Sequence, residues 1–265
     1  MILLECAADS IWSMTSLAEK QRSGAGDLII AADFGTSGVK VGLVDGDFAI
    51  VGKTSETYPL SLPAPNCAEQ APEDLWAALA RCVRRLAYEV PHLSDRAAGL
   101  VFCAQMCGLI CADADGTPLR PAMIWLDKRS AAITKQLVGG FPEFSGYQLP
   151  RFIRWLMVAN GAPSQTGMDP TGKMLWVRQH EPEIYQRSAK LLDIKDWLIH
   201  RATGVFSTTA DSANLTWLMD TRRGREGWSK ELSDRVGVPL AKLPDIVDGT
   251  SLVGGLTERA ASDLG

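Results

Sequence analysis

The order of apolar segments predicts an α/β domain with a mixed β-sheet and flanking helices. Three observations carry that expectation. Residues 28–57 hold three short apolar or alternating runs separated by Gly, Asp and Ser turns. A long one-sided apolar stripe opens at Pro72. Beyond residue 128 the pattern is mostly helical, punctuated by Gly and Pro.

Taken in order, Leu28–Ala32 reads as a strand, Gly35-Thr36-Ser37-Gly38 as a turn and Val39–Val44 as a returning strand. Asp45-Gly46-Asp47 turns again, and Phe48–Thr57 is a third strand. Pro59, Pro63 and Pro65 mark a loop. Pro72 starts a helix where its missing N–H does no harm. Leu75, Trp76, Leu79, Val83, Leu86 and Val90 share one face, and Pro91 ends it. Ala98–Gln105 and Leu109–Ala112 are apolar enough for buried strands, followed by a tight turn at 113–116. Helices are expected near 128–138, 151–159, 171–180, 195–202, 211–218 and 229–236. Residues 1–26 show no clean period and end in Ser23-Gly24-Ala25-Gly26, so they are expected to be a flexible extension, with Met14 an alternative start.

Net charge is −4, from 27 basic and 31 acidic residues, which argues against nucleic-acid or anionic-membrane partners. No apolar run approaches the roughly 20 residues of a membrane-spanning helix. Glu5, Asp9, Glu19 and Lys20 interrupt the N-terminus, unlike a secretory signal, so a cytoplasmic location is expected. The cysteines at 67, 82, 103, 107 and 111, with Cys6, read as small buried apolar residues rather than disulfides or a zinc site. His92, His180 and His200 are too scattered for a metal centre.

The segment Asp33-Phe34-Gly35-Thr36-Ser37-Gly38-Val39-Lys40 stands out. Between two strands, its glycines allow a tight turn that presents N–H groups to an anion. Thr36 and Ser37 add hydroxyls, Lys40 adds positive charge, and Asp33 can hold Mg²⁺ through water. Neither a P-loop nor a dinucleotide fingerprint is present. An ordinary hairpin with glycine at positive φ is the other reading of these residues.

Six further motifs occur in order: Glu69-Gln70-Ala71-Pro72-Glu73-Asp74-Leu75-Trp76, Ala104-Gln105-Met106-Cys107-Gly108, Pro118–Ala122 running into Ile124-Trp125-Leu126-Asp127-Lys128-Arg129-Ser130, Lys173-Met174-Leu175-Trp176, His180-Glu181-Pro182-Glu183, and Thr208–Asp220. With the 33–40 turn they resemble the FGGY carbohydrate kinases, xylulokinase-like, over about residues 28–265. The resemblance implies a ribonuclease H-like fold of the actin-like ATPase superfamily. It also implies ATP and Mg²⁺ as cofactors and a sugar substrate, a pentulose such as xylulose. By resemblance, Asp33, Gly35, Thr36, Ser37 and Lys40 bind ATP phosphates, with Asp33 toward the metal.

By the same resemblance Gln105, Met106 and Cys107 line the sugar, with Trp125 stacking on it and Asp127 accepting its hydroxyls. Cys107 departs from the histidine usual in xylulokinases, and a thiol hydrogen-bonds more weakly. Alternatives stay open: Gln105 as a structural amide, Trp125 as core, Asp127 as a helix N-cap with Arg129 on the surface. Trp76 and Trp176 read as core, Asp211 as a cap and Asp220 as a surface group. Glu69 and Gln70 either reach the sugar cleft or sit in a solvated loop.

In the family the general-base Asp lies in a G-x-G-D-x-x-A-A-like motif of a second domain, and no such motif occurs here. Residues 27–265 are therefore expected to supply the N-terminal half of the cleft, nearly inactive without the C-terminal domain as partner, and no catalytic residue is assigned. A non-catalytic sugar-binding or regulatory domain, an inactive shortened kinase and an actin-like nucleotide binder are the other readings. A homodimer is possible. The face meeting the second domain is expected to be unusually apolar.

Overall fold

The computed structural model describes residues 26–265. The extension expected over residues 1–26 lies, apart from Gly26, outside the described residues. Strands β1 (Leu28–Phe34) and β2 (Gly38–Val44) form an antiparallel hairpin, and β3 (Ile50–Thr57) pairs with β2. Their alternation works as the period-two pattern requires: Leu28, Ile30, Ala32, Phe34, Val39, Val41 and Leu43 all point into the core. Phe48 is not in β3. It sits at φ 61° in a turn whose N–H groups at Asp47 and Ala49 bond the Asp45 carboxylate.

After the short strand β4 (Glu69–Gln70), helix α1 (Pro72–Glu89) covers one face of the sheet. Pro72 sits in the first turn, where Glu73 and Asp74 complement the positive end of the helix dipole. The one-turn α2 (Leu93–Arg96) leads into β5 (Ala97–Ala104), which runs parallel to β1. The sheet order is therefore β3-β2-β1-β5, a mixed sheet as expected. β5 is not the buried strand its composition suggests. It is an edge strand, and Ala98, Val101 and Cys103 on one face are exposed, Val101 by 52%.

Two small ladders join the sheet to a second, helical core: β6 (Ile110–Ala112) with β10 (Lys190–Leu192), and β4 with β7 (Ala122–Met123). That core packs around Trp155. It combines α3 (Ala131–Val138), α4 (Leu149–Ala159), α5 (Pro170–His180), α6 (Pro182–Arg187) and α9 (Lys230–Val236). The hairpins β8 (Glu143–Phe144)/β9 (Tyr147–Gln148) and β12 (Met219–Asp220)/β13 (Gly227–Trp228) flank it. Helix α7 (Ile194–Thr203) and α10 (Glu258–Leu264) return to the sheet core. β11 (Ser207–Thr209) pairs in parallel with β14 (Asp245–Val247), with α8 (Ala210–Leu215) between them in sequence.

Four expectations shift. The helix expected from 128 starts at Ala131, because Ser130 is its N-cap and Asp127 is engaged elsewhere. α8 stops at Leu215, where Thr216 folds its hydroxyl back onto the Ala213 carbonyl and Trp217 turns to φ 58°. Its cap position is Thr209, so Asp211 lies in the first turn. Asp220 is buried against Arg222 rather than a free surface group. α6 and α10 are two-turn helices, too short for a period to stand out. The Thr257 hydroxyl accepting the Ala260 N–H was the only local sign of α10.

Candidate functional site

The β1–β2 turn is stiffened from below. The Gly35 N–H donates to the Gly38 carbonyl at 3.0 Å, and the Tyr58 hydroxyl donates to the Gly35 carbonyl. Neither Gly35 nor Gly38 has positive φ, so conformational freedom is not why glycine stands here. Gly38 is required by crowding: a β-carbon would lie 2.4 Å from the Glu56 carbonyl oxygen of β3. Above the turn, Asp33 and Lys40 are cross-strand partners and both are exposed, as is Ser37. Among the described residues, no hydrogen bond uses the N–H of Thr36 or Ser37. Burial, aided by the nearby Asp33 charge, pushes the Tyr58 phenol well above its usual range.

Thr36 is the junction. Its hydroxyl accepts from Trp125 Nε1 at 2.9 Å, and its carbonyl accepts from Gln70 Nε2 at 2.7 Å. Gln70 Oε1 in turn accepts from Gln105 Nε2 at 2.6 Å. Four segments distant in sequence thus meet through one threonine. Gln105 also extends β-type pairing past β5 by donating its N–H to Phe34. Its Oε1 is buried without a hydrogen-bond partner. Met106 is 59% exposed and Trp125 38% exposed beside it. A cleft of about 1040 Å³ runs from Asp33 and Thr36 past Gln105 and Met106 along β5 toward Lys195 and Asp211.

Cys107 sits in the left-handed region at φ 61°, and burial pushes its thiol up to about 11. Asp127 does not face this space. It is fully buried, and its carboxylate accepts from the Ala68 N–H and from the Arg129 backbone and guanidinium. With both oxygens engaged it has no lone pair left for a sugar hydroxyl. The expectation of direct contact is replaced by support of the wall from behind. Nor is Arg129 a surface residue. It bridges Asp127 and Glu69 at 2.7 Å, while Arg120 bridges Glu69 at 2.6 Å and Glu181 at 2.7 Å. Trp176, expected in the core, is half-buried between His180 and the Arg129 guanidinium. Trp76 is core as read, with its Nε1 donating to Asp263.

Sequence reasoning gave no role to the buried charges behind the wall. Lys173 of α5 is fully buried, and burial pulls its ammonium down to about 8. Its ammonium donates to the carbonyls of Cys107 and, at 2.8 Å, Ile124. Asp193 and Asp196 form the capping box of α7. Asp193 Oδ1 also accepts the Gly108 N–H at 2.9 Å. Burial pushes both carboxyls up, and Asp193 adds to the rise at Asp196. A lysine in an otherwise apolar helical run, Lys173-Met174-Leu175-Trp176, was the available signal.

Residues 28–265 match the FGGY family of carbohydrate kinases, N-terminal domain. The chain belongs to the FGGY family. It is 31% identical over 241 residues to the xylulose kinase of Bacillus subtilis (strain 168), covering 89% of this chain and 45% of that protein. The crystal structure of a xylulose kinase from Brucella ovis superposes with a TM-score of 0.77 at 26% identity, over 88% of this chain and 46% of that one. The fold is also that of Plasmodium falciparum glycerol kinase with ADP, at TM-score 0.76 and 21% identity, over 92% and 47%. The chain thus spans about half the length of the relatives it matches. The predicted actin-like ATPase fold class stands, and no helix among the described residues is long and apolar enough to cross a membrane.

Proposed function

We propose that residues 27–265 form the N-terminal, sugar- and phosphate-binding half of an ATP-dependent kinase acting on a ketose, a pentulose such as xylulose first. The observation that carries this is the Thr36 junction. One residue of the phosphate turn is hydrogen-bonded to Trp125 and, through Gln70, to Gln105. Phosphate donor and sugar would thereby be held in fixed relation, and positioning supplies much of the rate in phosphoryl transfer.

The turn fits Mg²⁺ and nucleotide phosphates. Asp33 offers one exposed carboxylate, the Thr36 and Ser37 N–H groups have no acceptor among the described residues, and Lys40 stands opposite Asp33. Among the described residues no group of three His, Cys, Asp or Glu side chains could hold a metal alone. A Mg²⁺ held by one or two carboxylates with water and phosphate oxygens is consistent with that. Bound ATP supplies the transferable phosphoryl group. Gln105 Oε1 accepts a sugar hydroxyl, Trp125 and Met106 present apolar surface to the ring, and the hydroxyl of Thr36 stays tied to Trp125. The general base belongs to a partner domain outside this sequence, and a cytoplasmic setting suits both substrates. Cys107 offers a thiol, a weaker hydrogen-bonder than an imidazole, so other ketoses and polyols belong beside xylulose in any binding panel.

Titration calorimetry of the 265-residue chain against pentuloses, hexuloses and polyols tests the binding half, and a coupled assay for ADP tests turnover. Sugar binding with near-zero ATP turnover is expected. Robust turnover by this chain alone overturns the half-enzyme reading, and no binding by any sugar overturns the substrate assignment. Binding to one sugar without any effect of Mg²⁺-ATP would favour a sugar-binding regulatory domain.

A further inference from the structure

Lys173 is fully buried in α5, and among the described residues no carboxylate lies within 4.0 Å of its ammonium. A buried cation with no directly paired carboxylate is a costly way to fill a core, where a methionine of similar length would serve. The ammonium supplies something a methionine does not. It donates at once to the carbonyls of Cys107 and Ile124, which belong to two separate segments of the wall. Ile124 immediately precedes Trp125. Cys107 follows Gln105 and Met106 in a strained left-handed conformation. On its other side the next residue, Gly108, gives its N–H to Asp193, and a β-carbon there would meet Ile194 at 2.7 Å and Asp193 at 2.8 Å.

We propose that Lys173 is a positioning residue that sets the spacing between the Gln105–Cys107 edge and Trp125, the slot read above as the sugar's, by tying both segments through one ammonium. This rests on the reading of those residues as the sugar wall. Asp193 pins the same edge from α7, so the edge is held between a cation and an anion on different helices. A helix shift is then converted into a change of slot width. Groups whose charge bears on the ammonium are Asp127, Asp169 and Asp193, with the Cys107 thiol beside them.

The test compares iodoacetamide labelling of individual cysteines in wild type and Lys173→Met, read by peptide mass. Cys103 is exposed and reports reagent reactivity, while Cys82 is fully buried in the sheet core and reports general opening. The inference expects Cys107 to label faster in the variant, by up to roughly tenfold and despite the smaller thiolate fraction left once the ammonium is gone, with Cys103 and Cys82 within about twofold of wild type. It expects affinity for whichever sugar binds wild type to fall by a similar factor. An unchanged Cys107 rate, a parallel rise at Cys82, or an unchanged sugar affinity overturns it. If wild type binds no sugar, the functional reading fails while the thiol comparison still decides the clamp. Should the variant not fold, hydrogen exchange of wild type decides. Residues 105–108 and 124–127 opening at rates within about twofold of each other supports a shared tether, and rates differing by more than about tenfold overturn it.

Discussion

The turn at 33–40 and the wall at 105–129 meet at Thr36 but are built by opposite means. The turn is a β-hairpin whose polar groups face outward: Asp33, Ser37 and Lys40 are exposed and its rigidity comes from backbone pairing plus Tyr58. The wall is irregular backbone, and buried charges hold it. The Glu181–Arg120–Glu69–Arg129–Asp127 ladder braces one part, and Lys173 and Asp193 pin another. A hairpin satisfies its own backbone, so its side chains are free for a ligand. A loop wall must borrow donors and acceptors from side chains, so Asp127, Arg129 and Lys173 are occupied before any ligand arrives.

That contrast is broken most directly at Asp127. Asp127→Ala leaves the Ala68 N–H and much of the Arg129 guanidinium buried without a partner. Loss of about 3–5 kcal/mol of stability is expected in urea unfolding, the usual penalty for deleting one side of a buried pair. If the loss is under about 1 kcal/mol, the wall is not held by its charges. Gly38→Ala attacks the turn through packing instead. Its β-carbon would press on the Glu56 carbonyl at 2.4 Å, so β2 and β3 must separate locally. About 1–3 kcal/mol is expected, as for other overpacked sites.

The two regions were also unequally legible in the sequence. The hairpin could be read because alternation and turn residues are local signals, and β1, β2 and α1 fall where expected. Gln105 and Trp125, expected at the sugar by resemblance, are tied to the turn through Gln70 and Thr36, a link that neither motif announces. Asp127 and Arg129 were misread because residue type does not reveal which way a carboxylate points. Here it turns inward to Ala68, an N–H nearly sixty residues earlier. Lys173 and Asp193 had no legible role, since their partners are the Cys107 carbonyl and the Gly108 N–H, and a backbone partner leaves no trace in composition. β5 was read as buried because an apolar strand looks the same whether its outer face meets a helix or an open cleft.

A smaller effect separates charge from shape within the wall's support. Asp196 is fully buried, its Oδ1 has no partner, and burial with the adjacent Asp193 raises its carboxyl above the ordinary value. The folded state therefore holds a proton that the unfolded chain releases at lower pH, so Asp196's contribution weakens as pH rises through the raised value. Asp196→Asn imitates the protonated form and keeps an acceptor for the Asp193 N–H. It is expected to flatten the pH dependence of melting above the usual carboxylate range, and to gain about 1 kcal/mol at pH 8. A variant that melts lower than wild type at every pH would mean the charge itself is needed.

The smallest expected effect tests whether the turn depends on anything but its own backbone. The Tyr58 hydroxyl reaches the Gly35 carbonyl from beneath, and it is the side-chain support on the side away from Trp125. Tyr58→Phe is expected to cost about 1 kcal/mol, the net worth of one buried hydrogen bond. The phenol is held protonated in the folded state by burial and by the Asp33 charge. Its contribution is therefore complete below about pH 10, where the unfolded chain would ionise, and is lost only as pH climbs toward the raised folded value. Wild type should lose stability above that point faster than Tyr58→Phe does, and the two melting curves should converge in strong alkali. If they run parallel instead, the hydroxyl is not the tether. The turn is then held from side chains only through Thr36, by Gln70 and Trp125, and otherwise by strand pairing.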